Sequence, residues 1–83
     1  MNIALDYDKT YTLDSYFWDL VIQTAEARGH TVRIVTMRHD NKEERLKKAP
    51  VPVIYTGRKA KKKFFSADVW IDDSPQWIYI DSD

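Results

Sequence analysis

Two pairs of carboxylates give this chain its chemical character. Asp6 and Asp8 stand one residue apart where the apolar run Ile3-Ala4-Leu5 ends, and a hydroxyl follows at Thr10. Asp72 and Asp73 end another apolar run at Ile71. Such a run stops where a strand leaves the core, so each pair is delivered to the rim of the fold. Carboxylates brought together there can hold one cation or face one phosphoryl group. Whether the two pairs meet depends on the elements that carry them.

Asn2 to Leu5, Thr31 to Val35, Val51 to Tyr55 and Val69 to Ile71 read as strands, and Ile78 to Ile80 as a short terminal fifth. The helical spacing of Leu13, Phe17, Leu20, Val21 and Ala25 predicts a helix after the first strand, capped by Asp14 or Ser15 and stopped at Gly29. A second helix is expected from Asp40 to Lys48, with Glu43 and Glu44 early and Arg45, Lys47 and Lys48 late, the order the helix dipole favours. A third is expected after Gly57, carrying Lys61, Lys62 and Lys63 before Phe64 and Phe65 reach the core. Strands alternating with helices predict one α/β domain over residues 1–83. The expected form is a three-layer, Rossmann-like fold: a mostly parallel sheet of four to five strands, helices on both faces.

A chain of 83 residues has a marginal core that self-association would help to stabilise, so a homo-oligomer is expected. The absence of Cys excludes disulfides, thiolate metal sites and a Cys nucleophile, leaving oxygen ligands and two His. No basic segment followed by an apolar one opens the sequence and no run is long enough to span a bilayer, so a cytoplasmic protein without membrane contact is expected. The formal net charge of zero hides an asymmetry: residues 38–63 hold ten basic against three acidic side chains, and the rest hold three against ten. A basic middle in an acidic frame can hold an anionic substrate, contact nucleic acid, pair subunits, or simply be solvated.

In an open parallel sheet, ligands bind outside the carboxyl ends of the strands, near the point where strand order reverses. The strand ends here carry Asp6 and Asp8, then Thr36, then Thr56 and Gly57 leading to the lysine cluster, then Asp72 and Asp73. That order, Asp-x-Asp-x-Thr, a strand-terminal Thr, Lys, and Asp-Asp, resembles the haloacid dehalogenase superfamily, mostly phosphatases and phosphotransferases, over nearly the whole chain. The resemblance implies that Asp6 attacks phosphorus to form an aspartyl-phosphate, and that Asp8 protonates the leaving oxygen and then activates water. Mg2+ suits an oxygen-only site, and its ligands would be Asp6, the backbone carbonyl of Asp8, and Asp73, with Asp72 a further ligand or an orienter. Thr36 and the backbone N–H groups of Met37 and Arg38 would bind the phosphoryl oxygens. The site lysine would be Lys61 at the start of the third helix, or else Lys59.

Two departures from the pattern stand out. Lys9 occupies the position that is usually Gly, and Ser74-Pro75-Gln76-Trp77 follows the last motif where a further carboxylate often lies. The crossovers are too short for a cap domain, so the resemblance implies an open site that accepts a macromolecule or is roofed by another subunit. The substrate would be a phosphorylated small molecule, nucleotide or nucleic-acid end. His30 reads as a surface loop residue, while His39, close to the strand ends, is a secondary candidate for reaching substrate. Tyr7 can stack on a ring or pack on the core, and Tyr11, Tyr16 and Trp18 lie near the mouth. A response-regulator receiver is excluded by motif order, because its acidic pair comes first and its Lys last. The alternative is a catalytically weak or inactive module of the same fold that binds nucleic acid or a protein through residues 38–63; transfer to an acceptor other than water also stays open.

Overall fold

The structure, a computed structural model, describes residues 1–82. Asn2–Leu5 (β1) and Thr31–Thr36 (β2) form the centre of a parallel sheet, with Asn2 opposite Thr31 and Leu5 opposite Ile34. Val53–Tyr55 (β3) adds to β2 and Val69–Ile71 (β4) to the free edge of β1, giving the order β3-β2-β1-β4. The chain therefore advances through β1, β2 and β3 in one direction and returns to lay β4 on the other side. Strand order reverses at β1, the strand that ends in Asp6. A Rossmann-like layout is compatible with this α/β sheet.

Ser15–Ala27 (α1) links β1 to β2. Asp14 caps it by accepting the Phe17 N–H at 3.1 Å, and Gly29, at φ +84°, ends it with its N–H on the Glu26 carbonyl. Its buried face matches the one that spacing indicated only in part. Leu13 falls in a 3-10 turn before the helix, and Phe17 and Leu20 stay half-exposed; Ala25 does meet the core, together with Trp18 and Ile22, the three lying at i+7, i and i+4. Ile22 packs there against Ile3, Leu5, Val32 and Ile34, which alternate along β1 and β2 onto one face, and against Val51.

The expected three layers are not seen, because α1 is the sole helix longer than about one turn among the described residues. Between Asp40 and Lys48 the chain makes a single turn, with Arg45 N–H on the Asn41 carbonyl and Asn41 Oδ1 accepting the Glu44 N–H. Only Leu46 of this stretch packs on the core, followed by Ala49 just beyond it, and the Leu46 N–H is taken by the Tyr55 hydroxyl at 3.0 Å, so there is no apolar stripe to hold a helix down. The segment after Gly57 is likewise a 3-10 turn, Lys61–Lys63, and Phe64 is half-exposed rather than in the core. Gly57 and Arg58 both have positive φ, and Lys59 N–H reaches the Thr56 carbonyl, a tight turn that uses up the residues a helix would need. The expected fifth strand is a one-turn helix, Gln76–Tyr79 (α2), started by Pro75 at φ −65° and anchored by buried Ile78.

Ile34 has no exposed surface and sits mid-sheet between β1 and β3. Ile34→Ala is expected to cost about 2–5 kcal/mol, a large part of what so small a domain has, and denaturant titration will show a midpoint shift of that size without a loss of the two-state transition.

Candidate active site

The floor of the site is built by strand pairing. Asp6 N–H bonds to the Ile71 carbonyl at 2.9 Å, extending the β1–β4 ladder one residue beyond Leu5 and setting Asp6 beside Asp72. Lys61 comes in from its 3-10 turn to lie between them, its Nζ 2.7 Å from Asp6 Oδ1 and 2.6 Å from Asp72 Oδ2. The side chains of Lys61 and Asp72 are each 3% exposed and that of Asp6 is 11% exposed. Asp72 uses its other oxygen to accept the Ser74 N–H, which fits an orienting role. The Thr10 hydroxyl lies 3.2 Å from Asp6 Oδ2 and 3.3 Å from Asp73 Oδ1, closing the first loop onto the last.

Asp6, Asp72 and Asp73 each place one carboxylate oxygen within 4.8 Å of the others. Burial, then the hydrogen bond with Asp73, raises the Asp6 carboxyl from 3.8 to about 7, with Lys61 pulling the other way. Asp73 is held below the ordinary range, first by that same bond with Asp6 and further by Thr10 and Ser74. The two carboxyls are thus driven apart, Asp6 upward and Asp73 downward. Three carboxylates gathered this closely repel one another unless positive charge lies among them, and their all-oxygen donor set fits a hard divalent cation.

The walls come from the other loops. Arg38 grips Asp8 with two nitrogens, at 2.8 and 3.0 Å, donates a third bond to the Glu44 carbonyl, and lies over the Tyr7 ring. Glu44 in turn accepts the His39 N–H and pairs with Arg58, whose Nη1 holds the Met37 carbonyl. Asp8 accordingly raises the Arg38 guanidinium further, and the His39 N–H lowers Glu44. Thr36 is buried at the end of β2, its hydroxyl accepting the Arg38 N–H at 3.3 Å. Together these groups line a cavity of about 510 Å³, completed by Lys9, Glu43, Ser74 and Trp77.

Of the residues singled out from sequence, Asp6, Asp8, Thr36, Met37, Arg38, Lys61, Asp72 and Asp73 all line this one cavity. Lys59 is exposed and outside it, two residues from the buried Lys61. His39 is also outside, packed on Gly57, where an added Cβ would come within 2.9 Å of its Nδ1. His30 is half-buried beside Met1 at the far ends of the strands. Tyr7 turns away from the acids to stack on Tyr11 at 5.7 Å, and Trp18 belongs to the core. Sequence reading missed Arg58, Glu43, Glu44 and Trp77 as cavity residues; only Trp77, four positions past Asp73, carried a usable signal, an aromatic beside a strand-end motif.

Scans against family models, curated proteins and solved structures found no match to this chain.

Two outcomes follow from the electrostatics. In the window from about 4 to about 7, the folded chain holds a proton on Asp6 that the unfolded chain has released, so without divalent cations stability falls as pH rises and levels off above about 7. Melting curves in chelator will show this fall, and Asp6→Asn will flatten it. Lys61→Met strands two buried carboxylates and is expected to cost about 3–5 kcal/mol at pH 7, with Lys61→Met/Asp72→Asn recovering part of the loss in the same denaturation assay.

Proposed function

We propose that this chain is a capless phosphohydrolase of the haloacid dehalogenase type, cleaving phosphomonoesters through an aspartyl-phosphate with Mg2+ as cofactor. The observation that carries the reading is the meeting of Asp6, Asp72, Asp73 and the buried Lys61 ammonium at the carboxyl ends of β1 and β4, with Thr36 on the same cavity. Asp6, Asp73 and the Asp8 carbonyl would hold the magnesium. When bound, it supplies the positive charge that offsets repulsion between phosphate and carboxylate.

Asp6 Oδ forms a bond to phosphorus as the bond to the leaving oxygen breaks, and the Lys61 ammonium, already against Asp6, neutralises charge on the transferred group. Thr36 and the N–H groups after it orient the phosphoryl oxygens. Asp8, having taken up a proton from solvent, gives it to the leaving oxygen and takes one from the water that then attacks the acyl phosphate. For that it must leave Arg38, whose guanidinium is free to fork onto the phosphoryl oxygens in exchange. The cytoplasm is the expected setting; no helix among the described residues is long and apolar enough to cross a membrane.

The competing reading, a binding module using residues 38–63, finds half of that segment's basic side chains paired within the chain. Arg38, Arg45, Arg58, Lys61 and Lys63 are all in ion pairs and Lys62 lies over Tyr79; Lys42, Lys47, Lys48 and Lys59 are exposed, and none of those four lines the cavity.

Phosphate release from a panel of phosphomonoesters tests the reading. Turnover is expected with magnesium and not in chelator, and Asp6→Asn is expected to reduce it to background. Asp8→Asn should lower turnover about 10²–10⁴-fold while phosphate accumulates on Asp6, detectable as added mass after acid quench. Unchanged turnover in Asp8→Asn would remove its acid–base role.

A further inference from the structure

We propose, on the basis of the phosphohydrolase reading, that the substrate is a nucleoside monophosphate whose base stacks on Trp77. The charges of the cavity are largely committed to one another. Lys61 is held by Asp6 and Asp72, Arg38 by Asp8, and Arg58 by Glu44. Arg38 can exchange Asp8 for the transferred phosphoryl group, but Lys9 is the lone lining cation outside these pairs among the described residues, and the lining also carries Glu43, an acid outside them. One phosphoryl group is therefore provided for and a second is not. Diphosphates, triphosphates and the backbone of a nucleic-acid strand would each bring negative charge that finds no uncommitted partner beyond Lys9.

The leaving alcohol is thus uncharged, and the lining also says something of its shape. Trp77 is a half-buried indole on a wall otherwise made of acids, bases, small hydroxyls and Met37. It stands on α2, whose start is tied to the acidic loop by Trp77 N–H on the Ser74 carbonyl at 3.2 Å, and whose next residue, Ile78, is buried. The ring is consequently carried by the element that follows Asp72 and Asp73, at a fixed offset from the phosphate floor. A flat indole face presents the surface on which a base stacks. The cavity, about 510 Å³, lies in the range of small-molecule sites and has room for a nucleoside beside the phosphoryl group. Lys9 reaches the same cavity from a left-handed backbone, φ 62°, a conformation that a Gly would hold with less strain. Its three N–H donors face a leaving group that, as a nucleoside, offers hydroxyl and carbonyl acceptors.

Steady-state kinetics on the full chain with magnesium test this. The kcat/KM for 5′-nucleoside monophosphates is expected to exceed that for ribose 5-phosphate by on the order of tenfold, the effect of one base–aromatic stack, and to exceed that for nucleoside diphosphates and 5′-phosphorylated oligonucleotides. Trp77→Ala should bring the ratio of nucleotide to ribose 5-phosphate towards one, and Trp77→Phe should retain most of it. Equal rates on ribose 5-phosphate and nucleotides in the parent, or an unchanged ratio in Trp77→Ala, would overturn the nucleotide assignment and leave the phosphohydrolase intact. Preference for the oligonucleotide would replace the monophosphate by a strand end. Absence of turnover on every ester would overturn both readings together. Because the readout is a ratio within one variant, loss of folded protein cancels.

Discussion

A lysine ammonium buried between two carboxylates is the constraint around which the rest is arranged. Lys61 cannot be withdrawn from water unless Asp6 and Asp72 are there to receive it, and those two are adjacent only because β4 pairs with β1. The ion triad ties three separate stretches of chain: the end of the first strand, the end of the last, and the turn between β3 and β4. Buried ion pairs are weak sources of net stability, since desolvation consumes much of the attraction. What this one provides is specificity, because a one-residue slip of β4 would take Asp72 away from a cation that has nowhere else to go.

The strands and α1 were legible in the sequence because their signals are local and strong. Apolar runs ended by acids marked β1 and β4, and Asp14 and Gly29 marked the two ends of α1. Elements that depended on weak amphipathicity were misread. Residues 40–48 have the charge order of a helix but not its apolar stripe, and their side chains and backbone are drawn off into contacts with Arg38, Arg45, Arg58 and Tyr55. The buried face of α1 was misjudged in part, for a related reason. Leu13, Phe17 and Leu20 form as regular a series as Trp18, Ile22 and Ala25, and only the sheet's position decides between them.

The site was legible in outline, since its members lie at strand ends and the topology gathers strand ends. Its lysine was not decidable from sequence. Lys59 and Lys61 differ only in that buried Ala60 turns the chain between them, with its N–H held by Asp81, so that one ammonium faces outward and the other inward. Nor could spacing show the pairing of Asp8 with Arg38, two residues remote in sequence whose meeting depends on how the loop after β2 folds back. The charge asymmetry of the chain has the same resolution. Part of its basic middle meets the acidic frame, as Arg38 does at Asp8, Lys61 at Asp6 and Asp72, and Lys63 at Asp81.

The order β3-β2-β1-β4 also sets a sequence of events in time. The sheet can grow from β1 to β2 to β3 as neighbours in the chain, but β4 joins β1 only after most of the polypeptide has been traversed, the slow kind of contact in folding. Until that strand docks, β1 has an open edge, Lys61 has one anion instead of two, and Asp6 stands without Asp72 and Asp73. The chemistry of this domain is therefore the last thing its folding produces, and local fraying of a three-residue strand is enough to dismantle it while the remaining sheet persists.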